Sequence, residues 1–127
     1  MTTEPRPRRA ALIDDNLLFT SQISAGLSKL GLVAEVIGSP AGAVERLAAD
    51  PPAIILVNLA SDRLRPLELV RAAKADPRLS GVPVLGFTGH TEQALIHAAR
   101  EAGCDRIAAN SAITGDLRAL LGALLAP

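Results

Sequence analysis

Ala53-Ile54-Ile55-Leu56-Val57, followed by Asn58, is the stretch that decides the fold. It is apolar at every position, without the alternation of a strand that has one wet face. Bounded by Pro51-Pro52 before it and a polar residue after it, such a short run reads as a parallel strand covered on both sides. Upstream, Ala10-Ala11-Leu12-Ile13 reads the same way and ends in Asp14-Asp15. Between the two runs, Leu18, Ile23, Leu27 and Leu30 recur at helical spacing from Asn16 to Leu30, and Gly31 stops that helix. Val33 to Ile37 is a second strand. Ser39 as N-cap and Pro40 at the first helical position then predict a helix to Asp50.

Downstream of the decisive run, Asn58 to Arg65 reads as a loop and Pro66 to Asp76 as a helix, closed by Pro77 and Gly81. Pro83 to Phe87 is the fourth strand. Thr91 caps a helix to Ala102, where Gly103 ends it; Arg106 to Ala109 is a short fifth strand, and Ala112 to Leu125 the last helix. Five strand–helix units joined by short connections imply a parallel sheet with helices on both faces. Right-handed crossovers and this strand count favour a flavodoxin-like, doubly wound (βα)5 fold of order 2-1-3-4-5. Residues 1–9 read as a disordered tail and 10–127 as one domain. Arg6, Arg8 and Arg9 make that tail basic, short for nucleic acid but able to touch an acidic partner.

The 127 residues can bury one real core, built from aliphatic side chains because aromatics are only 2% of the chain. With 13 basic and 13 acidic residues there is no global field to draw the protein to nucleic acid or an anionic membrane. No apolar run is long enough to span a bilayer, and Met1 to Arg9 lacks the apolar segment of a secretory signal. Cys104 is the single cysteine, so no internal disulfide forms, and core packing is its expected role. Cytoplasm is the expected location. His90 and His97 have no Cys or His cluster around them in sequence and read as surface or groove residues.

In open α/β sheets ligands bind beyond the carboxyl ends of the strands. The polar residues there are Asp14 and Asp15, Asn58, Thr88 and Asn110. Two adjacent carboxylates can hold a hard cation such as Mg²⁺; as readily, they cap the helix that follows. The plainer reading of Asn58 is a turn residue and of Thr88 a cap, though Thr91 is better placed to cap the next helix, and the strand-end position favours a site role for Asn58.

At these residues the chain resembles the receiver domains of bacterial response regulators, of the CheY type, from about Ala10 to its end. The resemblance rests on Leu-Ile-Asp-Asp at 12–15, Ile-Ile-Leu-Val-Asn-Leu at 54–59, Glu68-Leu69, Phe-Thr-Gly-His at 87–90 and Ala-Gly-Cys-Asp at 102–105. It implies that Asp14 and Asp15 are the acidic pair that binds Mg²⁺, that Thr88 is the switch hydroxyl, and that Gly89 is the small residue after it. It also implies that position 58 is the phosphoacceptor and position 110 the lysine that contacts the phosphoryl group. This chain departs at both: they hold Asn58 and Asn110. Ser111 stands where a proline usually follows, Ile107 where a switch aromatic stands, and Ala60-Ser61-Asp62-Arg63 lacks the usual Met-Pro.

An acyl phosphate needs a carboxylate nucleophile, and the Asn58 amide is neither charged nor nucleophilic. Asn110 offers only amide dipoles to an incoming phosphoryl group. The resemblance with these departures implies an atypical pseudo-receiver, a degenerate phosphoacceptor site with no catalytic residue and no enzyme activity. It would need no cofactor, though Mg²⁺ at Asp14 and Asp15 stays open in weakened form. The expected partner is a signalling protein, such as a histidine kinase or effector. The fourth helix, fifth strand and last helix form the expected face for it or for a homodimer, with spare leucines between Leu117 and Leu125. Ending at its last helix, the chain reads as a stand-alone receiver without an output domain, so direct DNA binding is not expected. The alternative is a small-ligand or metal-binding α/β domain using the same cleft. Against a nucleotide, no glycine-rich loop follows the first strand: Asp14-Asp15-Asn16 stands there.

Overall fold

The computed structural model describes residues 8–89 and 92–125. Its sheet has five parallel strands in the order β2-β1-β3-β4-β5. These are β1 (Arg8–Ile13), β2 (Leu32–Ile37), β3 (Ile54–Asn58), β4 (Val84–Thr88) and β5 (Arg106–Ala109). The helices are α1 (Leu17–Lys29), α2 (Ala43–Ala49), α3 (Pro66–Ala75), α4 (Gln93–Ala102), α5 (Asn110–Gly115) and α6 (Leu117–Leu124). The flavodoxin-like order is therefore as expected.

Burial explains why β1, β3 and β4 carry no polar stripe. Ile54, Leu56 and Val57 are fully enclosed, and Ile55 very nearly so. Alternate residues feed two separate cores. Ala11, Ile13, Ile55 and Val57 point to one, closed by Leu47 of α2, Val70 of α3 and Ala99 of α4. Ala10, Leu12, Ile54 and Leu56 point to the other, closed by Ile23 and Leu27 of α1, Ile113 of α5 and Leu120 of α6. The chain's only two phenylalanines, Phe19 and Phe87, meet in or against this second core with centroids 5.5 Å apart.

Several strand ends, such as those of β2, β3 and β4, shift by one residue from the sequence reading, and four larger differences have a local cause. First, β1 begins at Arg8, so Arg8 and Arg9 belong to the sheet; the rest of the expected tail, 1–7, lies outside the described residues. Arg9 is held by Glu35 of β2 at 3.4 Å and by Asp50 at 3.2 Å, so this arginine serves an intramolecular tie. Second, α2 starts at Ala43. Gly42 adopts a left-handed φ of 69°, which ends the turn begun at Pro40 and resets the chain before the helix. Third, the last helix is two. Asp116, at φ −138°, breaks the run after Gly115, and the Thr114 hydroxyl bonds back to the Asn110 carbonyl at 3.2 Å. Fourth, the described α4 begins at Gln93 with Glu92 as its N-cap, while Thr91, expected to cap it, lies outside the described residues with His90.

The spare leucines expected on the last helix are also spoken for. Leu117, Leu120 and Leu121 are buried in the core against α1, and Leu124 and Leu125 pack on the same cluster. The large exposed apolar residues are instead Leu17 and Leu18 at the start of α1, and Val33 and Val36 on β2. His97 is exposed and faces Glu101 one turn on, as a surface residue should. Among the described residues no helix is long and apolar enough to cross a membrane.

Candidate functional site

Strand register assembles the site. Ile13 pairs with Val57, so the next residues, Asp14 and Asn58, stand side by side past the ends of β1 and β3. Asn58 pairs with Phe87, which puts Thr88 one step further along, and Thr88 pairs with Ala109, which puts Asn110 next. Residues spread over the sequence thus gather on one edge of the sheet because the strands are parallel and in step.

Asp14 is completely buried. Its Oδ1 accepts the Asn58 Nδ2–H at 2.9 Å and the Asn16 backbone N–H at 3.1 Å. Its Oδ2 is buried without a hydrogen-bond partner. The Asn58 side chain is fixed at both ends, since its Oδ1 accepts the Ala60 N–H at 2.9 Å. The orientation of the amide follows from chemistry. A carboxylate only accepts and a backbone N–H only donates, so the NH₂ must face Asp14 and the oxygen must face Ala60. Asn58 is therefore both the turn residue and the partner of the acidic pair.

Asp15 points outward. Its Oδ1 accepts the Ser61 hydroxyl at 2.6 Å, and its Oδ2 lies 3.4 Å from Arg63 Nε. The capping alternative for the acidic pair is resolved by Asn16, whose side chain accepts the Phe19 N–H at 3.0 Å and so caps α1 itself. Asp14 shapes the turn before that cap rather than capping the helix.

On the other side of the cleft, Thr88 is buried at the end of β4. Asn110 opens α5, with its side chain against Gly89. A Cβ at residue 89 would come within 3.0 Å of Asn110 Nδ2, so this side-chain position depends on glycine there. Asn110 Oδ1 is buried without a hydrogen-bond partner. Ile107, where the resemblance calls for an aromatic, packs against the core on the α2–α4 side.

Ser61 and Arg63 are the residues that sequence reasoning passed over. They stood out only as missing a Met-Pro, because loop residues carry no periodicity to show which way they face. Their spacing from Asn58 was the available signal.

The arrangement does not fit a divalent cation. Mg²⁺ demands near-octahedral oxygen ligands. Here Asn58 presents NH₂ rather than oxygen to Asp14, Asp15 is engaged by Ser61 and Arg63, and Asp14 Oδ2 is the one carboxylate oxygen of the pair without a contact. Among the described residues no group of three or more His, Cys, Asp or Glu side chains could hold a metal ion.

Fold and site together define a doubly wound α/β domain in which an amide, Asn58, stands beside an acidic pair at the carboxyl edge of the sheet. The fold is that of response-regulator receiver domains. A candidate response regulator from Chloroflexus aurantiacus matches with a TM-score of 0.86 over 96% of this chain and 100% of its own, at 17% identity. The receiver domain of sensor histidine kinase PA1611 from Pseudomonas aeruginosa, with a magnesium ion coordinated in its active-site cleft, matches at 0.85 over 95% of this chain and 99% of its own, at 20% identity. The signal receiver domain of a histidine kinase from Syntrophus aciditrophicus matches at 0.82 over 93% and 89%, at 19% identity. No protein-family model and no curated protein matches this sequence.

Proposed function

We propose that this protein is a receiver-like signalling domain of the two-component or phosphorelay type that works without aspartyl phosphorylation, through contact with a protein partner. One observation carries the reading. The side chain in the phosphoacceptor position is an amide with both ends committed, to Asp14 and to the Ala60 N–H. It offers no nucleophilic carboxylate, and Asn110 supplies no cation opposite it. The domain acts without catalysis and without a required cofactor.

Two features support contact with a protein. Leu17 and Leu18, next to the cleft at the start of α1, are 83% and 72% exposed, an adjacent apolar pair that a partner would cover. The leucines of α6 are already used in the core, which favours the α1 end over the face made by α4, β5 and the last helices. A histidine kinase or an effector of such a kinase is the partner class that the fold suggests.

The test is incubation of the wild-type protein with a small-molecule phosphodonor and Mg²⁺, read by intact mass. The expected result is an unchanged mass. Incorporation of a phosphoryl group would overturn the reading. In parallel, Leu17→Ser/Leu18→Ser is expected to abolish capture of the cognate kinase or effector by a correctly folded protein, and unchanged capture would move the contact elsewhere.

A further inference from the structure

We propose that the loop after β3 is a built-in counter-ion for the acidic pair. Asn58, Ser61 and Arg63 supply, from the chain itself, the positive charge and hydrogens that stand in for a divalent cation, so the two carboxylates hold one arrangement with no metal. This goes beyond the signalling reading, because it concerns how the cleft is balanced and not whether phosphate is transferred.

The argument starts from the carboxylate oxygens. Asp14 Oδ1 accepts two hydrogen bonds, from Asn58 and from the Asn16 backbone. Asp15 Oδ1 accepts the Ser61 hydroxyl, and Asp15 Oδ2 faces the Arg63 guanidinium. All three side-chain donors come from residues 58–63, so one short segment folds back over both acids. Only Asp14 Oδ2 is left without a donor, buried and single, and the Asn58 oxygen that could join it is turned away to the Ala60 N–H. Each hydrogen donated to a carboxylate oxygen must be given up before a cation can take that oxygen, and Mg²⁺ tolerates little departure from its geometry.

Arg63 adds the charge. Its guanidinium stands on Asp15 and also donates to the Gly38 carbonyl at 3.4 Å, bridging the loop after β3 to the turn after β2. The 3-10 turn at Asp62–Leu64 sets this reach, and Leu64 anchors it as a fully buried side chain. Arg63 itself is 76% exposed, so the pair is screened by solvent and its strength lies in excluding a second cation more than in stability.

The experiment is a metal titration of the intact, EDTA-stripped protein, followed by amide NMR at residues 14–16 and 58–63 against a sodium control of equal ionic strength. Wild type is expected to show no saturable shift up to about 20 mM Mg²⁺, and no rise in melting temperature beyond the control. Asn58→Asp/Arg63→Gln restores a third carboxylate and removes the guanidinium. It is expected to bind Mg²⁺ saturably at residues 14–16, at least about tenfold tighter than wild type, and to melt higher when loaded.

Saturable wild-type binding at these amides would overturn the proposal. So would a folded double variant that gains no affinity. Should that variant not fold, Ser61→Ala/Arg63→Gln keeps the buried Asn58–Asp14 bond and frees Asp15. Mg²⁺-dependent shifts at Asp15 absent from wild type are expected of it, and none would equally overturn the proposal. Phosphate uptake by wild type without metal affinity in the titration would refute the signalling reading and leave this one standing.

Discussion

Replacing Asn58 by aspartate is expected to destabilise the metal-free domain, although the resemblance to receivers calls for that residue type at this position. The Asn58 Nδ2–H donates to a fully buried Asp14 carboxylate at 2.9 Å. A hydrogen bond to a charged group contributes about 1.5–3 kcal/mol, and Asn58→Asp removes it. It also sets one carboxylate against another. At the 2.9 Å of the present contact and an effective dielectric of about 20, like charges repel by roughly 5–6 kcal/mol before any relaxation. Rotation of the new side chain towards solvent relieves most of that, which leaves a net loss of about 2–4 kcal/mol, or on the order of 10 °C in Tm.

The control is Asn58→Ala, which removes both the bond to Asp14 and the acceptor for the Ala60 N–H. Aspartate can still accept from Ala60. If lost hydrogen bonds were the whole effect, aspartate would therefore be the milder change. The charge argument gives the opposite order: wild type, then Asn58→Ala, then Asn58→Asp as the least stable. Urea unfolding followed by circular dichroism at pH 7 in EDTA measures it. An Asn58→Asp protein at least as stable as Asn58→Ala would refute the electrostatic account of the cleft.

Three further outcomes follow from the packing. Asp105 Oδ2 accepts the Val84 N–H at 2.7 Å and Lys74 Nζ at 2.9 Å, extending the β4–β5 ladder by a side-chain rung; Asp105→Ala should cost about 1–3 kcal/mol in urea unfolding, and a neutral result would show that rung to be idle. A Cβ at Gly86 would stand 2.8 Å from Leu59 Cδ1 and 3.2 Å from Cys104 Sγ, so Gly86→Ala should overpack the core and cost about 1–3 kcal/mol, with Leu59→Ala in the same chain recovering part of it. The Cys104 thiol is pushed up to about 11, chiefly by burial and next by the charge of Asp105. Native protein should therefore react with a thiol reagent at pH 8 only at its opening rate. Because folding favours the neutral thiol, this group's contribution is present below about 9 and fades as pH rises towards about 11, visible as a falling Tm that Cys104→Ala removes.

How far the fold could be read depended on the kind of signal. The β3 run is apolar at every position because both faces of that strand are covered, and α3 was marked at its start by Pro66. β5 was read at its observed bounds, Arg106–Ala109. Where the outcome hinged on a single backbone angle, local patterns were insufficient. Ser39-Pro40 looks like a helix start, yet Gly42 at positive φ postpones it, and the run towards Leu125 looks continuous, yet Asp116 interrupts it.

For the site, sequence by itself determined which residue types stand at the strand ends, and therefore that no carboxylate follows β3 and no lysine follows β5. Those facts need only the order of elements. Tertiary structure alone decided how these residues meet. Parallel register brings Asp14 against Asn58, the Ala60 N–H turns the Asn58 amide so that it donates to Asp14, and the loop after β3 carries Ser61 and Arg63 back to Asp15. The physical reason is that hydrogen bonding is directional and loops have no period. The order of residues shows that an amide follows β3, but only geometry shows which end of it faces the acidic pair.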